Sequence, residues 1–79
     1  MRVTIARQHF YFHANEVEQA MSGVTPEPVT GGSVTIGGTT YPIMQVGAVI
    51  TRQDRRDFSA DEVMRAMRAL GFSCRPTSS

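Results

Sequence analysis

The sequence is poor in the features that staple or anchor a small fold. It holds one cysteine, Cys74, so no disulfide can close within the chain. Its apolar runs are far shorter than the roughly 20 residues that cross a bilayer as a helix. It has no G-x-G-x-x-G and no Walker pattern, which excludes the common glycine-rich phosphate loops. His9 and His13 have no cysteine or carboxylate at metal-ligand spacing, with Glu16 the nearest acid, so no metal site is expected. Cys74 lies between Phe72 and Arg75 with no base beside it in sequence. It reads as a small apolar residue rather than a nucleophile. Lysine is absent too, and all eight basic residues are arginine.

What is present fits a folded chain. The 79 residues, 41% of them hydrophobic, suffice for one domain over residues 1–75, with residues 76–79 expected to fray as a tail. A chain of this size buries only roughly 60–65% of the surface its unfolded form exposes, so a stabilising partner is expected to help. General acid–base work needs a cleft that so small a chain hardly encloses. The reading is therefore non-enzymatic, with no cofactor, no evident small-molecule ligand and no membrane partner. The lone thiol and the absence of a signal-like start suit a reducing cytoplasm.

The hydrophobic pattern predicts an α+β fold. Val3 and Ile5 alternate with Thr4 and Ala6, which predicts a strand near residues 2–9. Asn15 with Glu18 three residues on reads as a cap and its partner, and Val17, Ala20, Met21 and Val24 recur at helical spacing, so a helix is expected near 14–22. Pro26, Pro28, Gly31 and Gly32 mark a connection. Gly37-Gly38 between alternating segments signals a hairpin of strands near 33–37 and 41–51, pairing Ile36 with Thr39 and Val34 with Tyr41. Within the second of these strands two parities disagree. Tyr41 and Ile43 belong to one face; Met44, Val46, Ala48 and Ile50 form the other. Either Pro42 marks a bulge or the strand is buried on both faces.

A second helix is expected near 59–70. Ser59 and Glu62 form a capping box, Phe58 and Val63 a hydrophobic staple, and Val63, Met64, Ala66, Met67 and Leu70 share a face. Gly71 stops it, with Phe72 folding back on Met67. Residues 72–75 are long enough for a last short strand. The resulting order is βαββαβ, the ferredoxin-like or split βαβ arrangement, in which right-handed crossovers place strands one and three side by side. The rival is a three-stranded antiparallel or mixed sheet with two helices.

Charge is unevenly spread. Residues 1–51 are net −1, whereas residues 52–79 carry six arginines against four acids, net +2. Arg52, Arg55 and Arg56 lie in the one charge cluster, where a loop beside a helix start could hold phosphates. Asp54 and Asp57 cancel most of that field, and the alternative is a solvated loop with internally paired arginines. The run His9-Phe10-Tyr11-Phe12-His13 could stack bases, or it could pack where the first strand meets the first helix. The βαββαβ order is that of the RNA-recognition motif, but the mid-strand aromatics of that motif are missing, so a standard RNA-recognition motif is disfavoured.

Three stretches carry a family resemblance: Pro-Glu-Pro-Val-Thr-Gly-Gly at 26–32, Tyr41-Pro42-Ile43, and Ile-Thr-Arg-Gln-Asp-Arg-Arg-Asp-Phe-Ser-Ala at 50–60. With Gly71 to Arg75 they resemble a group of small uncharacterised actinobacterial proteins of about this length. The resemblance covers most of residues 1–75. It implies genes lying near cold-shock-protein and DEAD-box-helicase genes, and hence a connection with RNA handling. It supplies no catalytic residues. The leading expectation is an interaction or regulatory module that binds a protein partner or a second copy of itself. The second is an accessory RNA-binding protein using Arg52, Arg55, Arg56 and the aromatics Phe10, Tyr11 and Phe12.

Overall fold

The computed structural model describes residues 2–5 and 8–76, with Val3, Thr4, Gln8, His9 and Phe10 described by their backbone alone. The last three residues of the expected tail lie outside the described residues. The element order is β1 (Arg2–Ile5), β2 (Gln8–Tyr11), α1 (Ala14–Met21), β3 (Ser33–Ile36), β4 (Thr39–Pro42), α2 (Ile43–Thr51), α3 (Ala60–Ala69) and β5 (Ser73–Arg75). It is a small α+β domain with three helices and a three-stranded antiparallel sheet of order β4-β3-β5. β1 and β2 form a separate antiparallel pair.

The β3–β4 hairpin follows from its two glycines. Gly37 and Gly38 take φ of 58° and 81°, the type I′ combination whose twist matches that of paired strands. Ile36 then faces Thr39 and Val34 faces Tyr41, the register that a two-residue turn dictates. Val34, Ile36 and Tyr41 are buried. The opposite face is polar: Thr35 and Thr40 are exposed, and their hydroxyls hydrogen-bond at 3.1 Å. β5 pairs with the other edge of β3, so the last short strand does form.

The single strand expected over 41–51 is not there. Its first two residues end β4, and the rest is the helix α2. The two disagreeing parities were a change of period from 2 to 3.6. Ile43, Val46, Gly47 and Ile50 recur at i, i+3, i+4 and i+7, one helical face, although β-branched residues favour a strand locally. Pro42 makes no bulge: it sits at φ −60° as the residue that introduces the helix, where its missing N–H costs nothing. Gly47 is the reason tertiary packing wins. A Cβ there would fall 2.5 Å from Phe58 Cε2 and 2.7 Å from Val63 Cγ2, so only glycine lets α2 and α3 cross this closely.

The strand expected over 2–9 is likewise two strands, with Ile5 opposite Gln8 and Arg2 opposite Tyr11. Alternation alone does not reveal where a strand reverses. The order is therefore not βαββαβ. β1 does not join the β4-β3-β5 sheet and instead packs on α3. α1 lies where the helical spacing puts it, but its cap is two residues before Asn15. His13 is the N-cap, and the Glu16 carboxylate accepts from the His13 N–H at 3.0 Å; Asn15 lies inside the helix.

α3 follows its sequence signals. The Ser59 hydroxyl accepts from the Glu62 N–H at 3.3 Å, and Phe58 and Val63 are both buried. Phe72 N–H donates to the Met67 carbonyl and Gly71 N–H to that of Arg68, both at 3.0 Å, which is a Schellman ending. The core gathers Ile5, Val17, Met21, Val34, Ile43, Val46, Val63 and Met67 from every layer. The Tyr41 hydroxyl donates to the Met21 carbonyl at 3.1 Å and so closes the end of α1 onto the sheet.

Candidate functional site

Residues 24–32 form an irregular strap between α1 and β3. Pro26 and Pro28 hold the backbone around Glu27 away from helical angles. The strap is tied to α2 by Gln45, which is 5% exposed. The Gln45 Nε2 donates to the Thr25 carbonyl and its Oε1 accepts from the Glu27 N–H, both at 2.9 Å. A buried side-chain amide thus does what a neighbouring strand would do, supplying one donor and one acceptor to the strap backbone.

With its backbone held, Glu27 meets Arg55 of the 52–59 loop in a two-pronged ion pair, 2.8 Å and 2.7 Å. The guanidinium hydrogen bonds hold the Glu27 carboxyl below its ordinary range and raise Arg55 above its own. The pair stands at the edge of a half-open groove of about 390 Å³. Pro28, Pro42, Ile43, Met44 and Ala60 give that groove an apolar lining, and Gly31 and Gly32 bring backbone to its wall. The Ile43 N–H donates to the Gly32 carbonyl at 3.0 Å, which locks the start of α2 to the end of the strap. The groove is within the range that holds a side chain or small ligand.

The three loop arginines are therefore in different states. Arg55 is engaged with Glu27. Arg56 is engaged with Asp54, whose carboxylate accepts from its backbone N–H at 2.9 Å and its Nε at 3.2 Å, which holds the Asp54 carboxyl below its ordinary range. Arg52 is exposed and ends α2 in the left-handed region at φ 58°, its N–H donating to the Ala48 carbonyl at 2.9 Å. Only one of these pairings uses the loop's own aspartates.

The aromatics belong elsewhere in the fold. Tyr11 is 74% exposed at the end of β2, across from the exposed Arg2. Phe12 is half-buried and packs against the core. The side chain of Phe10 lies outside the described residues. The outer face of the three-stranded sheet presents Thr35, Thr40, Ser73 and Arg75, without an aromatic residue. Cys74 is half-buried and contacts the Met64 carbonyl at 3.9 Å; burial pushes its thiol upward, away from the reactive thiolate. Among the described residues, no three His, Cys, Asp or Glu side chains gather as a metal site. Among them, no helix is long and apolar enough to cross a membrane.

Sequence reasoning missed Glu27 and Gln45. The first carried a signal: a glutamate between two prolines is a charged group on restrained backbone. Gln45 carried none, because a lone polar residue in an apolar run looks the same whether or not its amide reaches backbone 18 and 20 residues away. No curated protein and no solved structure matches the chain significantly. One family model matches over residues 1–79, spanning strap, groove and arginine loop together, and the chain belongs to the SCO5918-like family.

Proposed function

We propose that the protein is a small non-enzymatic interaction module whose partner is another protein, docking at the groove beside the strap. One observation carries this reading: a groove of about 390 Å³ that sets apolar side chains beside a charged pair, on a strap fixed by a buried amide. Fixed backbone lowers the ordering cost of binding, and an apolar groove with one polar handle supplies both burial and orientation. The occupant is an acidic segment that competes with Glu27 for Arg55, the cation of a lining in which these two charges balance.

The test is capture from native lysate with and without nuclease, using wild type and Met44→Asp. The aspartate suits the first turn of α2 but makes the groove wall polar and negative. Capture of a protein that survives nuclease and is lost with Met44→Asp supports the reading. Capture unaffected by Met44→Asp places the partner elsewhere and refutes it.

A second reading is accessory RNA binding. Exposed Tyr11 opposite exposed Arg2 and the exposed Arg52 favour it, as does the resemblance to proteins encoded near cold-shock and helicase genes. The ion pairs of Arg55 and Arg56 weigh against it, because a phosphate would have to displace a carboxylate from each without the apolar contacts that a peptide brings to the groove. Titration of single-stranded RNA at two salt concentrations decides the matter. Direct contacts by all three loop arginines would give a log–log slope of roughly −0.7 per contact, flattened by about two units when all three become alanine. No binding removes the reading.

A further inference from the structure

Resting on the docking reading above, we infer that Glu27 is an internal stand-in for the partner: the groove receives a glutamate or aspartate side chain of an extended peptide, which displaces Glu27 from Arg55.

Three observations carry this. Arg55 is part of the groove lining and has both prongs of its planar fork filled by one carboxylate, at 2.8 Å and 2.7 Å, so the geometry of carboxylate recognition is already assembled. Both members of the pair are nearly half exposed, 45% for Arg55 and 44% for Glu27, so water and salt weaken their hold and exchange is inexpensive. An incoming carboxylate gains what Glu27 does not supply, since it brings neighbouring apolar atoms onto Pro28, Met44 and Ala60. It also comes near the start of α2, whose first turn has no acid and whose N-cap has no side-chain acceptor. The groove is half open, so a side chain can enter it from solvent.

Gln45 makes the exchange reversible. It holds Glu27 by its backbone N–H, not by its carboxylate. The side chain can therefore swing out while the strap stays in place, and it returns when the peptide leaves.

The probes are two acetylated, amidated short peptides, identical except for a central glutamate or glutamine between leucines. Each is titrated into the labelled full chain while the amides of Gly31, Gly32, Met44 and Gln45 and the Nε of Arg55 are followed by NMR. The glutamate peptide is expected to saturate these signals at a several-fold lower concentration than the glutamine peptide. Glu27→Gln should tighten the glutamate peptide by about two- to fivefold, the scale of an exposed ion pair removed from competition. Arg55→Gln should erase the preference for glutamate. Equal binding of the two peptides, or weaker binding by Glu27→Gln, overturns the stand-in and leaves the docking groove standing. Inorganic phosphate acting as strongly as the glutamate peptide also overturns it, in favour of a general anion site. If neither peptide moves the groove signals, the docking reading falls with it.

Discussion

Replacing Gln45 by methionine tests how the strap is held. Methionine keeps the unbranched length and the helix propensity of glutamine but offers neither the donor to Thr25 nor the acceptor for Glu27. Two hydrogen bonds of about 0.5–1.5 kcal/mol each would be lost, roughly 1–3 kcal/mol together. The lower half of that range is favoured, because Thr25 and Glu27 are exposed residues whose freed backbone groups can turn to water. For a domain this size about 1 kcal/mol shifts the melting midpoint by roughly 4–8 °C, so a fall of at least about 4 °C is expected by calorimetry. Hydrogen exchange gives the local readout. In wild type the Glu27 amide should exchange slowly for a residue in an exposed, irregular segment; in Gln45→Met it should approach open-loop rates while the amides of α3 change only by the global loss. An unchanged midpoint together with an unchanged Glu27 amide would refute the claim that this side chain fastens the strap.

Gly47→Ala should destabilise despite improving helix propensity by about 1 kcal/mol, because the methyl group would meet Phe58 and Val63 at under 3 Å; overpacking typically costs about 1–3 kcal/mol, and denaturant melts read the balance. Arg52→Gly should stabilise by about 0.5–1 kcal/mol, since glycine takes φ 58° freely, and a lowered midpoint in the same melts would show that the arginine side chain holds something here. Glu27 is held below its ordinary range by Arg55, so the folded state binds its proton less readily than the unfolded chain. The pair therefore contributes above the ordinary glutamate range and fades as pH falls through the lowered value. The midpoint gap between wild type and Glu27→Gln should be widest at neutral pH and close in acid, and a gap that widens on acidification would contradict the pairing.

How much could be read from the sequence depended on how local each signal was. The type I′ glycines fixed the β3–β4 register, and the cap, staple and stop of α3 were legible because each lies within a few residues of what it controls. α2 was misread because Val46, Val49, Ile50 and Thr51 speak locally for a strand, while the argument for a helix, the fit of Gly47 against Phe58 and Val63, spans up to 16 residues. The reversal between β1 and β2 was hidden because alternation looks the same before and after a turn. At the candidate site the arginine cluster was visible, and internal pairing was one of its two readings. The partner of Arg55 was not visible, because Glu27 is 28 residues away and reaches it only through a strap whose fastening is a buried glutamine.

The separation of the β1–β2 pair from the β4-β3-β5 sheet has a consequence for cooperativity. Among the described residues no ladder joins the two sheets, and α3 packs against both β1 and β5. Two strands are marginal alone, and among the described side chains of this pair Ile5 is the one buried in the core. Its opening should be a sub-global event, cheaper than the loss of the hairpin and helices that enclose Val34 and Met67. Tyr11 and Arg2 would then ride on a part of the molecule that opens many times for each complete unfolding, whereas the strap, groove and arginine loop would stay with the slower unit.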